Sequence, residues 1–339
     1  MSAHSTAKNW IKRSLIATRA LDVIHRLQRT RVAVLMYHSV MEEPERHATT
    51  LGNIIISAKN FRRQMEVLAR DYNPLSLNDA LQFIQGHKQL PAKPVVVTFD
   101  DGYRDNAEVA APILNQLDIP GVFYVTVSSI DRAMPPWVAK LRYAFSTTGK
   151  GAWGGFNGDV YPLATSGGRE RAFTIALEHC ACLTGRTQEG FVAEVERELE
   201  TGAMPEESQL MMTWQQTRKL IDEGHIVGSH TMSHPNLAHV QDDLELRSEL
   251  EESKRRLEQK LDSPVIHFSY PCPVLQPHWS ARTVELCRQL GYSTAVTTDP
   301  GAVSEGDDPL TMHRVRPTRD IDGLRWNLEC AFLGRPLSK

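Results

Sequence analysis

The chain is organised around the stretch VVVTFDDGYRD at residues 95–105. A continuous run of β-branched and aromatic residues ends there in two adjacent carboxylates, Asp100 and Asp101, followed by a glycine. This pattern predicts a buried strand that delivers two acids to the rim of a sheet. If one acid binds a divalent cation, the other can stay ionised beside it, whereas without a metal one of the two pKa values should be raised. The pair therefore directs the search to further metal ligands.

Two histidines lie far downstream, in the stretch GSHTMSHP at residues 228–235. His230 and His234 are four residues apart, a spacing that places two imidazoles on one side of a helical turn or tight loop and suits one metal ion. With Asp101 they form a set of two histidines and one carboxylate, which leaves coordination positions open for water and substrate. Either motif alone is commonly structural, but their joint occurrence at βα junctions favours a catalytic metal site.

These motifs resemble those of a known family, the polysaccharide deacetylases of the NodB-homology group (carbohydrate esterase family 4). The T-F-D-D-G motif of that family is unchanged at residues 98–102, and its H-[ST]-x-x-H motif is present at residues 230–234. The resemblance covers roughly residues 31–333. It implies an α/β fold, a distorted (β/α)7-type barrel with a long insertion between the first and second motifs, and metal-dependent hydrolysis of a sugar acetyl group.

The resemblance also implies a role for each residue of the two motifs. Asp101, His230 and His234 would hold the metal, with Zn²⁺ as the expected ion, and Asp100 would be the base that takes a proton from the attacking water. Tyr103, just after the first motif, either borders the pocket or fills the rim of the barrel.

The third motif of the family corresponds to FSYPCP at residues 268–273, where Cys272 would supply the amide that stabilises the oxyanion and Tyr270 would lie near the substrate. Two departures stand out. Ser269 replaces the arginine that orients the base in many relatives, and Pro273 replaces the usual glycine.

A late stretch, TMHRVRP at residues 311–317, bears on two further roles. Arg314 or Arg316 is the candidate to replace the missing arginine. His313 is the positional candidate for the general acid that protonates the leaving amine, and His38, after the first strand, is its competitor.

Strand and helix patterns alternate along the chain and predict about seven parallel strands, with every candidate residue at a carboxyl strand end. The rhythm breaks over residues 131–212, which we interpret as an insertion that shapes substrate binding rather than an independent domain. The charge run at residues 245–260 is interpreted as a solvated helix face.

Residues 1–30 predict a basic amphipathic helix, which either lies on a membrane surface, where it would help with a lipid-linked substrate, or packs on the barrel or a partner. Basic residues interrupt each apolar run, so we predict neither a secretory signal nor a membrane span. The five cysteines are an odd number without metal or disulfide spacing, which fits a reducing compartment. The expected location is cytoplasmic, with peripheral contact to the inner membrane as the alternative that the helix suggests.

The composition of the 339 residues fits a large globular core, since 41% are hydrophobic and 23% charged. The formal net charge of -3 gives no reason to expect a nucleic-acid partner.

The functional hypothesis is therefore a deacetylase of N-acetylhexosamine-containing glycans, in bacterial exopolysaccharide or envelope assembly. The alternatives are a hydrolase of small cyclic amides on the same scaffold, and a catalytically silent glycan-binding barrel suggested by Ser269 and Pro273.

Overall fold

The computed structural model describes residues 30–44, 52–202, 204, 210–272 and 277–335. The predicted helix at residues 1–30 therefore lies, except for its last residue, outside the described residues, and so does Pro273. No helix among the described residues is both long and apolar enough to span a bilayer.

The described elements alternate between strands and helices along most of the chain. The strands are β1 (Arg31–Tyr37), β2 (Ser39–Met41), β3 (Ile55–Ser57), β4 (Asn73–Pro74), β5 (Pro94–Phe99), β6 (Gly121–Val125), β7 (Ala152–Trp153), β8 (Tyr161–Pro162), β9 (Ile226–Ser229), β10 (His267–Ser269), β11 (Thr294–Pro300), β12 (Val303–Ser304) and β13 (Met312–Arg314). The helices are α1 (Ala58–Asp71), α2 (Leu77–Ile84), α3 (Ala111–Gln116), α4 (Val127–Arg132), α5 (Trp137–Thr147), α6 (Ser166–Ala181), α7 (Gly185–Glu198), α8 (Trp214–Asp222), α9 (Asp243–Leu261), α10 (Ala281–Gln289) and α11 (Ile321–Phe332).

Seven parallel strands form a barrel in the order β1, β5, β6, β9, β10, β11 and β13. The sheet closes between its ends, because Leu35 of β1 lies opposite Val315, just after β13. The Met36 amide donates to the Val315 carbonyl at 3.1 Å, and the Val315 amide donates to the Val34 carbonyl at 2.7 Å. The (β/α)7-type barrel predicted from the sequence is confirmed.

The strands bury both of their faces, which explains the uninterrupted apolar run of β5. Alternate residues such as Val97 and Phe99 belong to the main apolar cluster, which includes residues of the surrounding helices. Their neighbours such as Val96 and Tyr124 pack in a second cluster with residues of α2. Polar side chains therefore come together where the strands end and the apolar layers stop.

The predicted insertion contains α5, α6, α7 and the β7–β8 hairpin, which together we call the inserted unit, residues 137–199. The apolar faces of these elements bury one another in a separate cluster that includes Phe145, Trp153 and Phe173. The Phe145 and Trp153 rings meet edge to face, with centroids 5.0 Å apart. The segment thus has a core of its own, which the sequence analysis did not predict.

Candidate active site

The two carboxylates follow β5 in a tight turn. The Asp100 amide still donates to the Tyr37 carbonyl of β1, at 3.0 Å, and the chain then turns through left-handed backbone at Asp101 (φ 75°) and Gly102 (φ 86°). A left-handed aspartate is a strained conformation of the kind that clusters at functional sites. The turn points the two neighbouring carboxylates at different partners.

Asp101, His230 and His234 converge at the carboxyl rim of the barrel, the edge formed by the C-terminal strand ends. Their candidate ligand atoms all lie within 4.8 Å of one another, and all three side chains are buried. The Nε2 atoms of His230 and His234 lie 3.4 and 3.3 Å from Asp101 Oδ1. No described residue donates a hydrogen bond to this buried oxygen. Three unshared ligand atoms facing one point fit a divalent cation.

The pKa of Asp101 reflects the same surroundings. Burial by itself would raise the pKa, but the imidazoles of His230 and His234 outweigh burial and hold it well below its usual value. Asp101 is therefore an anion in this site.

The tautomer of His230 is set by a neighbouring strand. Its Nδ1 lies 2.8 Å from the carbonyl oxygen of Ser269, at the end of β10. A carbonyl can only accept, so Nδ1 carries the proton and Nε2 presents its lone pair to the site. The carbonyl of His234 accepts from Trp137 Nε1 at 3.0 Å, so the inserted unit holds the second histidine.

The turn between the two histidines is held by a carboxylate. Glu249 of α9 accepts from the amides of Met232 and Ser233, at 3.0 and 2.9 Å, and from Ser233 Oγ at 2.6 Å. Thr231 and His234 both have positive φ, 67° and 63°. Glu249 is 9% exposed, so the interpretation of residues 245–260 as a solvated face is wrong at this position. The sequence signal was available, because Glu249 lies next to Leu250 and three residues after Leu246, two buried leucines of α9.

Asp100 is paired with Arg314 of β13. Nη1 and Nη2 donate to Oδ1 and Oδ2 at 2.9 and 2.8 Å, Nε donates to the Thr297 carbonyl at 2.6 Å, and both side chains are buried. Ser269 Oγ also donates to Asp100 Oδ1, at 3.2 Å. Of the two arginine candidates, Arg314 therefore makes the contact and Arg316 does not. Burial would raise the pKa of Asp100, but the Arg314 guanidinium outweighs it, so the pKa lies below its usual value.

His38 and His313, the two candidates for the general acid, lie in different places. His38 lines the cleft above the rim, and its Nε2 lies 3.9 Å from Asp100 Oδ2. His313 is exposed and faces away from the site, beside Gly301. Because side chains alternate along a strand, the residue before the inward-facing Arg314 must point outward. The hypothesis that His313 is the general acid is wrong on this geometry.

Of the three residues predicted to contact the oxyanion or the substrate, two line the cleft and one does not. Cys272 lines the cleft, and Tyr103 lines it as well, where burial and the nearby Asp101 carboxylate hold the pKa of its hydroxyl well above the usual value. Tyr270 instead points into the main apolar cluster, where its hydroxyl donates to the Leu310 carbonyl at 2.9 Å. Tyr270 therefore stabilises the barrel and is not at the rim, which corrects its assignment as a substrate contact.

The cleft above the rim has a volume of about 360 Å³ and runs between the barrel and the inserted unit. Its floor holds the acids and histidines described above. The inserted unit and the segment before β3 contribute an apolar wall, which is made by Ile54, Ile55, Val138, Ala139, Phe173 and Leu177. The segment after β13 contributes a polar wall, which contains Arg316, Thr318 and Arg319.

A parallel barrel with this set of acids and histidines at its carboxyl rim defines a candidate hydrolase site. Residues 87–295 match the family described as polysaccharide deacetylase, which is more than half of the chain. The chain belongs to that family.

Known proteins of similar sequence and structure agree. YxkH of Bacillus subtilis (strain 168), itself assigned to the polysaccharide deacetylases, is 21% identical over 295 residues, covering 86% of this chain and 74% of YxkH. The deacetylase PplD of Streptococcus pyogenes, solved in complex with acetate, superposes with a TM-score of 0.59 at 19% identity, over 90% of this chain and 99% of PplD. IcaB from Ammonifex degensii gives 0.54 at 20% identity, over 89% and 98%. At these identities the two structures show the fold alone.

Proposed function

We propose that this protein is a metal-dependent deacetylase that removes acetyl groups from an N-acetylhexosamine-containing poly- or oligosaccharide. The observation that carries the proposal is the meeting of an Asp-His-His set with a second, separately paired aspartate on the floor of one cleft. The acetate bound to PplD is the product such a reaction would release.

Asp101, His230 and His234 would hold the metal, with Zn²⁺ favoured by two imidazoles and one carboxylate. A divalent cation there would polarise the acetyl carbonyl and lower the pKa of a bound water.

Asp100 is the proposed base. The paired guanidinium of Arg314 keeps it ionised and fixes both oxygens, so it is ready to accept the proton of a water that attacks the acetyl carbonyl. His38, with its Nε2 3.9 Å from Asp100 Oδ2, is the proposed acid, which would receive that proton through one water and pass it to the amine as the carbon–nitrogen bond breaks. Cys272, at the edge of the cleft, is the proposed amide donor for the oxyanion.

Ser269 replaces the arginine of the third motif, which suggested a silent barrel, but another arginine in the structure takes the place of the missing one. Arg314 reaches Asp100 from another strand, and the serine hydroxyl fills the remaining space and accepts from Arg314 Nη2 at 3.3 Å. The pairing of base and guanidinium is therefore present although the motif lacks its arginine.

The test is acetate release from N-acetylglucosamine oligosaccharides by metal-replete protein, compared with Asp100→Asn. We expect kcat to fall about 10³-fold in the variant, within the range for loss of a general base. Asp100→Asn leaves the Arg314 guanidinium buried without a counter-charge, so Tm is measured alongside. Turnover restricted to small amides would favour the other hydrolase, and glycan binding without turnover in the wild type would favour the silent barrel.

A further inference from the structure

The positive charges that line the cleft fall into two groups. The guanidinium of Arg142 is engaged, since it pairs with Glu170 Oε2 at 3.2 Å and lies 4.0 Å above the Phe173 ring. The side chains of Arg316 and Arg319 are exposed, and neither guanidinium makes a hydrogen bond or ion pair with a residue in the described part of the chain. Both follow β13 and lie outside the stretch that matches the family.

The carboxylates near Arg316 and Arg319 contact other groups. Among the described lining residues, the carboxylates are Asp100, paired with Arg314, and Asp101, which faces the two histidines. Asp299, close to the same edge of the cleft, accepts from Trp279 Nε1 at 3.2 Å. The polar wall therefore presents two guanidinium groups that form no ion pair with any described residue, opposite an apolar wall.

We propose that the substrate is an anionic glycan, with a carboxylate or phosphate group that binds Arg316 and Arg319 while the apolar face of the sugar packs on the opposite wall. The inference rests on the proposed function and names its substrate class. Guanidinium groups bind carboxylate and phosphate with paired hydrogen bonds, and a concave site strengthens that contact.

The charge of the product supports the same conclusion. Deacetylation turns each neutral acetamido group into an ammonium group. A neutral glycan would thus become a polycation beside Arg316 and Arg319, where like charges repel. An acidic glycan has the counter-charge to bind both before and after the reaction.

The experiment compares three oligosaccharides of equal length: neutral N-acetylglucosamine, N-acetylglucosamine alternating with a uronic acid, and N-acetylglucosamine carrying a terminal phosphate. The variants are Arg316→Gln, Arg319→Gln and the double substitution. Arg63→Gln, an exposed arginine of α1 away from the cleft, is the matched control.

We expect the wild type to favour one acidic series, carboxylate or phosphate. Each single variant should lower kcat/KM for that series roughly fivefold and the double variant roughly 20-fold, mainly through KM. Activity on the neutral glycan should change much less than activity on that acidic series, all activities of Arg63→Gln should stay unchanged, and the acidic preference should shrink in high salt. Equal kcat/KM for neutral and acidic glycans, unaffected by the double variant, would overturn the inference.

A binding measurement separates this inference from the proposed function. In the Asp100→Asn background, calorimetry with the neutral and the acidic glycans should show tighter binding of one acidic glycan, lost in the double arginine variant. If no glycan releases acetate, the proposed function fails while this binding result still decides the inference. Equal binding of all three glycans counts against it.

Discussion

The carboxyl rim and the inserted unit are held together by different interactions. At the rim, buried charges meet specific partners, as in the two-point contact of Arg314 with Asp100 and the three bonds to Glu249. The inserted unit is held by apolar packing, and the charged pair between Arg132 and Glu189 at its margin is exposed. Substitutions at the rim should therefore change the reaction, and substitutions in the inserted unit should mainly change stability and substrate fit.

The largest effect is expected from loss of a proposed metal ligand. His230→Ala should lower kcat by about 10³-fold or more, because several kcal/mol of barrier reduction depend on the bound ion. Bound metal, measured by elemental analysis, should fall in parallel. His179→Ala, a histidine of α6, should retain both activity and metal. Full metal content in His230→Ala would show that His230 is not a metal ligand, and would contradict the expected role of the rim in the reaction.

Phe145→Ala tests the inserted unit, since Phe145 is buried at the centre of its core. The free energy of unfolding should fall by about 3–5 kcal/mol, as for other buried aromatic residues. Denaturant titration measures it, and kcat of the folded fraction should change little. Phe156→Ala, where the ring is 47% exposed, is the control with a small expected effect. A large loss of kcat without loss of stability would contradict the division.

Asp105 gives the rim a pH-dependent stability. It is half-buried, accepts from Ser39 Oγ and the Val40 amide, and its partial removal from water raises its pKa to about 6. A carboxyl group with a raised pKa favours the folded state most when protonated. Stability should therefore fall as the pH rises from about 4 to above 6, by roughly 2–3 kcal/mol. Asp105→Asn should lack this component, so the difference in unfolding free energy between wild type and variant should change with pH. If the unfolding free energies of wild type and Asp105→Asn changed with pH in parallel, Asp105 would not contribute to the pH dependence.

Glu249→Gln should weaken the histidine turn without altering a ligand. The amide retains the shape of the side chain but loses the charge and one acceptor, so metal affinity should fall roughly tenfold, as for other residues that orient ligands. Competition with a metal chelator measures the affinity. Glu251→Gln, on the exposed face of the same helix, is the control. Added divalent metal should rescue the activity of Glu249→Gln, whereas a merely unfolded variant would not respond.

Trp137→Phe tests the hydrogen bond that joins the inserted unit to the histidine turn. The loss of the indole donor to the His234 carbonyl should cost about 1 kcal/mol, seen as a roughly fivefold weaker affinity for metal. Trp153→Phe, whose ring packs on Phe145, should leave metal affinity unchanged. Equal metal affinity in both variants would show that the inserted unit does not help to place the histidine.

The sequence predicted the parts of the site that depend on local order. Asp100, Asp101, His230 and His234 lie in short motifs at strand ends, and a parallel barrel brings such ends to one rim. The predictions that placed Tyr270 and His313 at the active site are wrong for the same reason. Along β10 and β13 side chains alternate, so an inward Ser269 or Arg314 forces Tyr270 and His313 outward. From the sequence, the arginine that pairs with Asp100 could be narrowed only to Arg314 or Arg316, because the contact joins residues that are 214 apart.

The inserted unit was beyond this kind of inference. Its core brings together residues of three helices and a hairpin, and no single stretch of its sequence has a strong repeating pattern. Trp137 was missed for a related reason, because its partner is a backbone carbonyl of a turn whose shape only the tertiary structure defines.

The pairing of Asp100 with Arg314 has a consequence for the order in which the protein becomes competent. Asp100 is translated 214 residues before Arg314, which lies on the strand that closes the barrel. A nascent or C-terminally shortened chain therefore has both motifs but no counter-charge for the acid. The charge pair of the proposed base therefore forms only when β13 has been made and closes the barrel.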